Sequence, residues 1–422
     1  MTNKLILKLL TALGAVLLAV AAPSESAAQG ISPVRTADSM ADFCRKGQAE
    51  YPGGIARMHP SFKFNICWWL EDAGIKASTF DEVVGALPEH AGPLQSAWQA
   101  TFSKPAQVHL ERAHVAEVRG DRETASAEYK KAAFYLRMNR LPKQVPIADI
   151  QATEKAHAVL GKPLQRIKFR AGEKEFVGYF RAPPARNSSN EKPPVLVILG
   201  GLDNLKTEMI RHSDYFVGRG FATLVVENPD TGENQLGFRP ESSAMLDTVA
   251  DYIQTRSDLD ASRVAIYGWS MGGYLGTLGG LRNDFYKAIV NIGGPSDSSF
   301  GQAHCKTAPA WIVAPYTVFA NMNPQTTPRQ AMCEYYEAFQ LSRQLKMPTA
   351  VQLRKPILMV NGAREDLVSK DEPASLTALG FNVTQLVFGE DGHTAESNMQ
   401  EHFEFTANWL MRQLKIANGP DL

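Results

Sequence analysis

From Arg166 onward the apolar residues come in short unbroken runs: PVLVILGG, ATLVVENP, RVAIYGWS, KAIVNIGG, PILMVNG and TQLVFGEDGH. A run without polar alternation is what a strand covered on both faces requires. Between the runs lie stretches with helical apolar spacing, near 208–219, near 242–255 and from Met271. Strands and helices in alternation predict an α/β domain with a mostly parallel central sheet, right-handed crossovers and helices on both faces. Ahead of it, RIKFRAGEKEFVGYFRAP alternates apolar and polar positions about Gly172 and predicts a β-hairpin. EHFEFTANWLMRQL has one apolar stripe and predicts a closing helix. Residues 295–348 interrupt the alternation with several prolines and one helical stretch, RQAMCEYYEAFQLSRQL; they read as a cap inserted over the carboxyl edge of the sheet.

The first part of the chain has a different period. PAQVHLERAHVAEVRGDRETASAEYKKAAFYLRM carries apolar residues at helical spacing on both sides of Gly120, which ends one helix while Asp121 caps the next. No second copy recurs at a fixed period, so this is a single helical hairpin and not a solenoid. The expected organisation is a smaller all-helical N-terminal domain over 29–165, then the α/β domain over 166–418 with its cap. Residues 1–28 read as a signal peptide: Lys4 and Lys8, an apolar run from Leu9 to Ala22, and small residues leading to a cut after Ala28. That predicts a periplasmic or secreted protein with no stable membrane insertion after cleavage.

Composition narrows the partners. Lys and Arg number 44, Asp and Glu 44, so the formal net charge is +0 and nothing favours nucleic acid as a ligand. The four cysteines, Cys44, Cys67, Cys305 and Cys333, are disulfide candidates in an oxidising compartment. Pairing of sequence neighbours, Cys44–Cys67 and Cys305–Cys333, is preferred among the three possible arrangements. Their spacing matches no metal motif, so no metal and no cofactor are expected.

The chemistry gathers at Gly268-Trp269-Ser270-Met271-Gly272, a G-x-S-x-G after an apolar run and before a helix. Glycines on both sides let the serine occupy a sharp strand-to-helix turn that lifts its hydroxyl above the sheet. The pattern predicts the nucleophile turn of an α/β-hydrolase fold, in which an acid and then a histidine follow the serine. A serine hydroxyl needs that histidine as base and that carboxylate to orient it. His393, in the loop GEDGHTAE, is the expected base; His402, at the start of the closing helix, reads as a surface or packing residue. The acid belongs in AREDLVS. Counting from Gly362 and back from Val368 lands on Glu365, whereas aspartate is the commoner acid by type; Asp366 is preferred, with Glu365 as the alternative. The Met271 N–H opens the next helix and is one expected oxyanion donor. ILGGLDN supplies the other, Leu202 first and Gly201 next, with Asp203 as an in-loop hydrogen-bonding residue.

VLVILGGLDNLKTE, ENPDTGEN, RVAIYGWSMGGY and VNGAREDLVS…GEDGH together resemble the FrsA-like branch of the α/β-hydrolases, over roughly 105–415. The helical hairpin is similar to the region such proteins carry ahead of the hydrolase core. The resemblance implies Ser270 as nucleophile, His393 as base, and Asp366 or Glu365 as acid. It also implies cleavage of an ester or of a carbon–carbon bond beside a ketone, and often a homodimer. The expected activity is ester hydrolysis of a small-molecule substrate. Trp311, Tyr316, Phe319, Tyr335 and Tyr336 in the cap suggest an apolar or aromatic one. Carbon–carbon hydrolysis and a non-catalytic binding scaffold are the rival readings.

Overall fold

The computed structural model describes residues 69–416 except 77–78, 81, 84–95, 141–146, 185–190, 203, 309–321 and 323–325. The signal-peptide reading and the Cys44–Cys67 pairing lie outside the described residues. The chain divides into two compact units between Pro163 and Leu164.

In the first unit, helices α1 (Ser96–Val118), α2 (Arg122–Arg140) and α3 (Ala148–Val159) follow one another. Gly120, at φ +77°, ends α1 in the left-handed region open to a residue without a Cβ, and the Asp121 carboxylate accepts the Thr124 N–H at 3.1 Å to start α2. Phe80, Phe102, Phe134 and Tyr135 are buried together in its core.

The second unit holds β1 (Gln165–Ala171), β2 (Lys174–Arg181), β3 (Pro194–Leu199), α4 (Ile210–Gly218), β4 (Ala222–Val226), α5 (Met245–Thr255), β5 (Asp260–Trp269), α6 (Met271–Arg282), β6 (Ala288–Ile292), α7 (Gln302–Thr307), α8 (Arg329–Glu337), β7 (Pro356–Gly362), α9 (Glu372–Ala378), β8 (Asn382–Phe388) and α10 (Met399–Gln413). Among the described residues the strands form one sheet in the order β1-β2-β4-β3-β5-β6-β7-β8. The β1–β2 hairpin turns at Gly172 and joins the sheet antiparallel through β2 and β4; the remaining pairings are parallel. Every residue of β3, β4 and β6 is buried, as their unbroken apolar runs require. Alternate residues of the central strands feed two cores. Val197, Leu199, Ile266 and Ile289 pack on one face with α5 and α6, and Ile198, Val225, Tyr267 and Val290 on the other with α4 and α10.

The cap is fastened at its base. A disulfide joins Cys305 on α7 to Cys333 on α8, with their Cα atoms 5.6 Å apart. The buried Glu372 carboxylate, at the start of α9, accepts the N–H groups of Asp297, Ser298 and Ser299 at 2.7, 3.2 and 2.8 Å. Trp311, Tyr316 and Phe319 lie outside the described residues. Tyr336 is buried and packs edge-on to Phe300 at 4.9 Å, and Tyr335 packs against Phe339 at 5.5 Å; Phe300 and Phe339 in turn pack on Tyr274 of α6 at 4.9 and 5.7 Å, which seats the cap on the core.

Candidate active site

β5 ends at Trp269 and α6 begins at Met271, leaving Ser270 alone in the corner at φ 51°, ψ −120°. A side chain other than glycine in that region carries strain that only a well-braced turn sustains. The brace is close packing. A Cβ on Gly268 would collide with the Gly272 carbonyl, and one on Gly272 would lie 2.7 Å from the Leu199 oxygen. The Ser270 N–H donates to the Ile292 carbonyl at 2.7 Å, extending the β5–β6 ladder one residue into the turn. The hydroxyl therefore stands at the carboxyl edge of the sheet. Beside it is the positive end of α6, whose first turn holds no acidic residue.

His393 comes from the loop after β8. Its Nε2 lies 2.9 Å from Ser270 Oγ, and its Nδ1 lies 2.8 Å from Glu365 Oε2. Thr394 and Ala395, both at positive φ, fold the chain sharply behind the ring, and the Thr394 N–H is held by Asn361 Oδ1 at 3.0 Å. The carboxylate that reaches the ring is thus Glu365. Asp366, the preferred acid, is exposed. The reason is the tight turn after β7. The Glu365 N–H donates to Gly362 O at 3.2 Å and turns this side chain inward, where its Oε1 accepts the Leu367 and Val368 N–H groups at 2.6 and 3.0 Å. Burial opposes its charge, but the facing His393 and these hydrogen bonds outweigh it and hold the Glu365 carboxyl below its ordinary range. An ionised carboxylate at Nδ1 keeps a proton there and leaves Nε2 free to accept one from the serine.

His402 is buried against Trp269 and Phe403, and burial pushes its pKa down to about 3; it packs beneath the turn as a neutral ring. On the other side of Ser270 lies the turn after β3. A Cβ on Gly201 would sit 3.4 Å from the Ser270 Cβ, so that backbone borders the hydroxyl. The Gly201 N–H is engaged by Asn204 Oδ1 at 2.8 Å, which removes it as a donor. Leu202 N–H meets no acceptor among the described residues, and Asp203 lies outside them.

The sequence model of the family described as "Esterase FrsA-like" matches residues 85–415. The chain belongs to the FrsA-like family. Within it, Esterase FrsA of Vibrio cholerae is 29% identical over 210 residues, covering 48% of this chain and 50% of that protein. Hydrolase pyiE of Pyricularia grisea is 26% identical over 292 residues, covering 60% and 61%. The FrsA-like chain thus spans between half and two thirds of the length of these relatives. Among solved structures, 2,6-dihydroxy-pseudo-oxynicotine hydrolase superposes with a TM-score of 0.67 at 16% identity, over 84% of this chain and 97% of that one. AbyA5 superposes at 0.60 with 19% identity, over 80% and 90%. These likenesses establish the α/β-hydrolase fold and general membership of a hydrolase and esterase family. Two further residues near this FrsA-like site, Asn228 and Asn361, were not singled out in sequence: ENPDTGEN and VNGAREDLVS carry the resemblance, but nothing within them marks these two side chains.

Proposed function

We propose that the protein is a serine hydrolase that cleaves a carboxylic ester of a small apolar or aromatic molecule through an acyl-enzyme. The observation that supports this reading is the unbroken relay from Ser270 Oγ to His393 Nε2 at 2.9 Å and from His393 Nδ1 to Glu365 at 2.8 Å. As Ser270 Oγ attacks the substrate carbonyl, His393 Nε2 takes its proton, and the ionised Glu365 stabilises the resulting imidazolium. The carbonyl oxygen becomes an oxyanion between the N–H groups of Met271 and Leu202. Each such donor is typically worth about 3 kcal/mol of barrier. The imidazolium then protonates the leaving alkoxide. Water, deprotonated by His393, attacks the acyl-enzyme and releases the acid and the serine.

A fluorophosphonate probe should label Ser270, and Ser270→Ala should lose both the label and p-nitrophenyl ester turnover, by on the order of 10⁶. A folded protein that stays unlabelled would point instead to a binding scaffold. Turnover of β-diketones in preference to esters would move the reaction to carbon–carbon cleavage. We further propose that the protein is exported, since the Cys305–Cys333 disulfide fits an oxidising compartment. Mass spectrometry of the exported protein should find Gln29 as its first residue; retention of residues 1–28 would overturn that part.

A further inference from the structure

The turn after β3 is held by side chains from the turn after β4. Asn228, fully buried, donates from its one amide nitrogen to two consecutive carbonyls, Gly200 at 2.8 Å and Gly201 at 2.7 Å. Thr231 Oγ1 donates to the next carbonyl, Leu202, at 3.2 Å. The amide orientation is dictated by these contacts, because the flipped amide would set oxygen against oxygen. Asn228 Oδ1 has no partner among the described residues, so the side chain is held through its nitrogen alone. Its base is stiff. The neighbouring Glu227 carboxylate accepts the Lys206 and Glu233 N–H groups and pairs with the buried Lys206 ammonium at 3.2 Å, and Asn234 Nδ2 donates to the Glu227 carbonyl at 2.8 Å.

A peptide unit is planar and trans, so its C=O and N–H point in opposite directions. Fixing the Gly200 carbonyl therefore aims the Gly201 N–H, which is found on Asn204. Fixing the Gly201 carbonyl aims the Leu202 N–H away from Asn228. We propose that Asn228 is a positioning residue for the oxyanion hole: by gripping the Gly201 carbonyl it directs the Leu202 N–H at the oxyanion that forms on Ser270. This rests on the serine-hydrolase reading. It extends that reading to a residue two strands removed from the nucleophile, in a segment that touches no reacting atom.

The test uses full-length protein whose active fraction is titrated with a fluorophosphonate, assayed on p-nitrophenyl butyrate. Asn228→Ala should lower kcat by on the order of 10²-fold, as expected when one oxyanion donor is misdirected, with KM within about threefold. Affinity for a trifluoromethyl ketone, whose hemiketal oxyanion uses the same donors, should weaken by the same factor as kcat/KM. Affinity for butyrate, the product, should not change. Asn228→Ser, which keeps one hydroxyl donor, should recover part of the loss, and it carries the test alone if the alanine variant does not fold. Loosened packing would lower the melting temperature without linking kcat to ketone affinity. A labelled, active parent whose variants keep kcat and ketone affinity within about threefold overturns this inference alone. A parent that is not labelled at Ser270 overturns the hydrolase reading and this inference with it.

Discussion

Glu365 and Asp366 are adjacent and differ in charge environment, so a pair of near-isosteric substitutions separates their roles. Glu365→Gln keeps the shape of the side chain and an oxygen for the Leu367 and Val368 N–H groups, now 2.6 and 3.0 Å from Oε1. It replaces the oxygen 2.8 Å from His393 Nδ1 with an amide nitrogen. Two donors cannot face each other, so the ring adopts the tautomer with its proton on Nε2 and can no longer accept one from Ser270. The expected loss in kcat is about 10⁴, the cost of the wrong tautomer in this relay, or about 5.4 kcal/mol of barrier. Asp366→Asn alters an exposed side chain and should leave kcat within about twofold. The assay is steady-state hydrolysis of p-nitrophenyl butyrate by titrated enzyme. A 10³-fold fall in Asp366→Asn, with Glu365→Gln near the parent, would refute the assignment and the turn geometry behind it.

The same pair makes a stability prediction. The Glu365 carboxyl is depressed below its ordinary value of 4.5 in the folded protein, because His393 and the backbone donors outweigh the cost of burial. The stabilisation it brings is therefore complete above about pH 4.5 and is lost as pH falls through the folded value. Urea midpoints measured between pH 7 and pH 3 should drop less steeply in Glu365→Gln than in the parent. Parallel curves would show that this carboxylate does not couple to folding.

Three further outcomes follow from packing and charge. Cys305 and Cys333 are 28 residues apart, so Cys305→Ser with Cys333→Ser, or reduction, should cost roughly 3.5 kcal/mol by the loop-entropy estimate, read as a lower urea midpoint. Gly272→Ala would press a Cβ onto the Gly200 and Leu199 backbone carbonyls, which cannot swing aside; it should cost more than about 3 kcal/mol or abolish folding, measured by thermal melts beside Gly389→Ala, a site with open space. Lys206→Met leaves the buried Glu227 without its ammonium and should destabilise by about 3–5 kcal/mol in urea melts, and adding Glu227→Gln should not recover it, because the new amide nitrogen would face the backbone N–H of residue 206 or of Glu233.

What the sequence revealed of this site tracks how local the physical cause is. The serine turn was legible because the clash that demands glycine at 268 is with Gly272 and Gly273, within five residues of Ser270, so the spacing carries that geometry; the glycine at 272 answers instead to the remote Leu199 and Gly200 backbone. The sheet was legible for the same reason: burial on both faces removes polar residues from each run. The carboxylate that faces His393 was half legible. Counting from Gly362 reached Glu365, but the preference for aspartate outweighed it. What decides is the path of the turn, in which a longer side chain reaches His393 from an inward-facing position while its neighbour faces solvent. The helix read through RQAMCEYYEAFQLSRQL breaks after Glu337 because a distant segment captures its backbone: Ser296 O takes the Leu341 N–H at 3.1 Å and Asp297 Oδ1 the Ser342 N–H at 2.7 Å. Asn228 and Glu372 belong to the same class. Sequence alone assigned neither residue a role, yet both are buried and hold backbone from other loops. A polar side chain whose partners are remote backbone groups leaves no periodicity, and its neighbours in sequence do not name those partners. The parts of a site that aim its donors are therefore the parts for which coordinates are needed, and Asn228 is where that argument is most open to experiment.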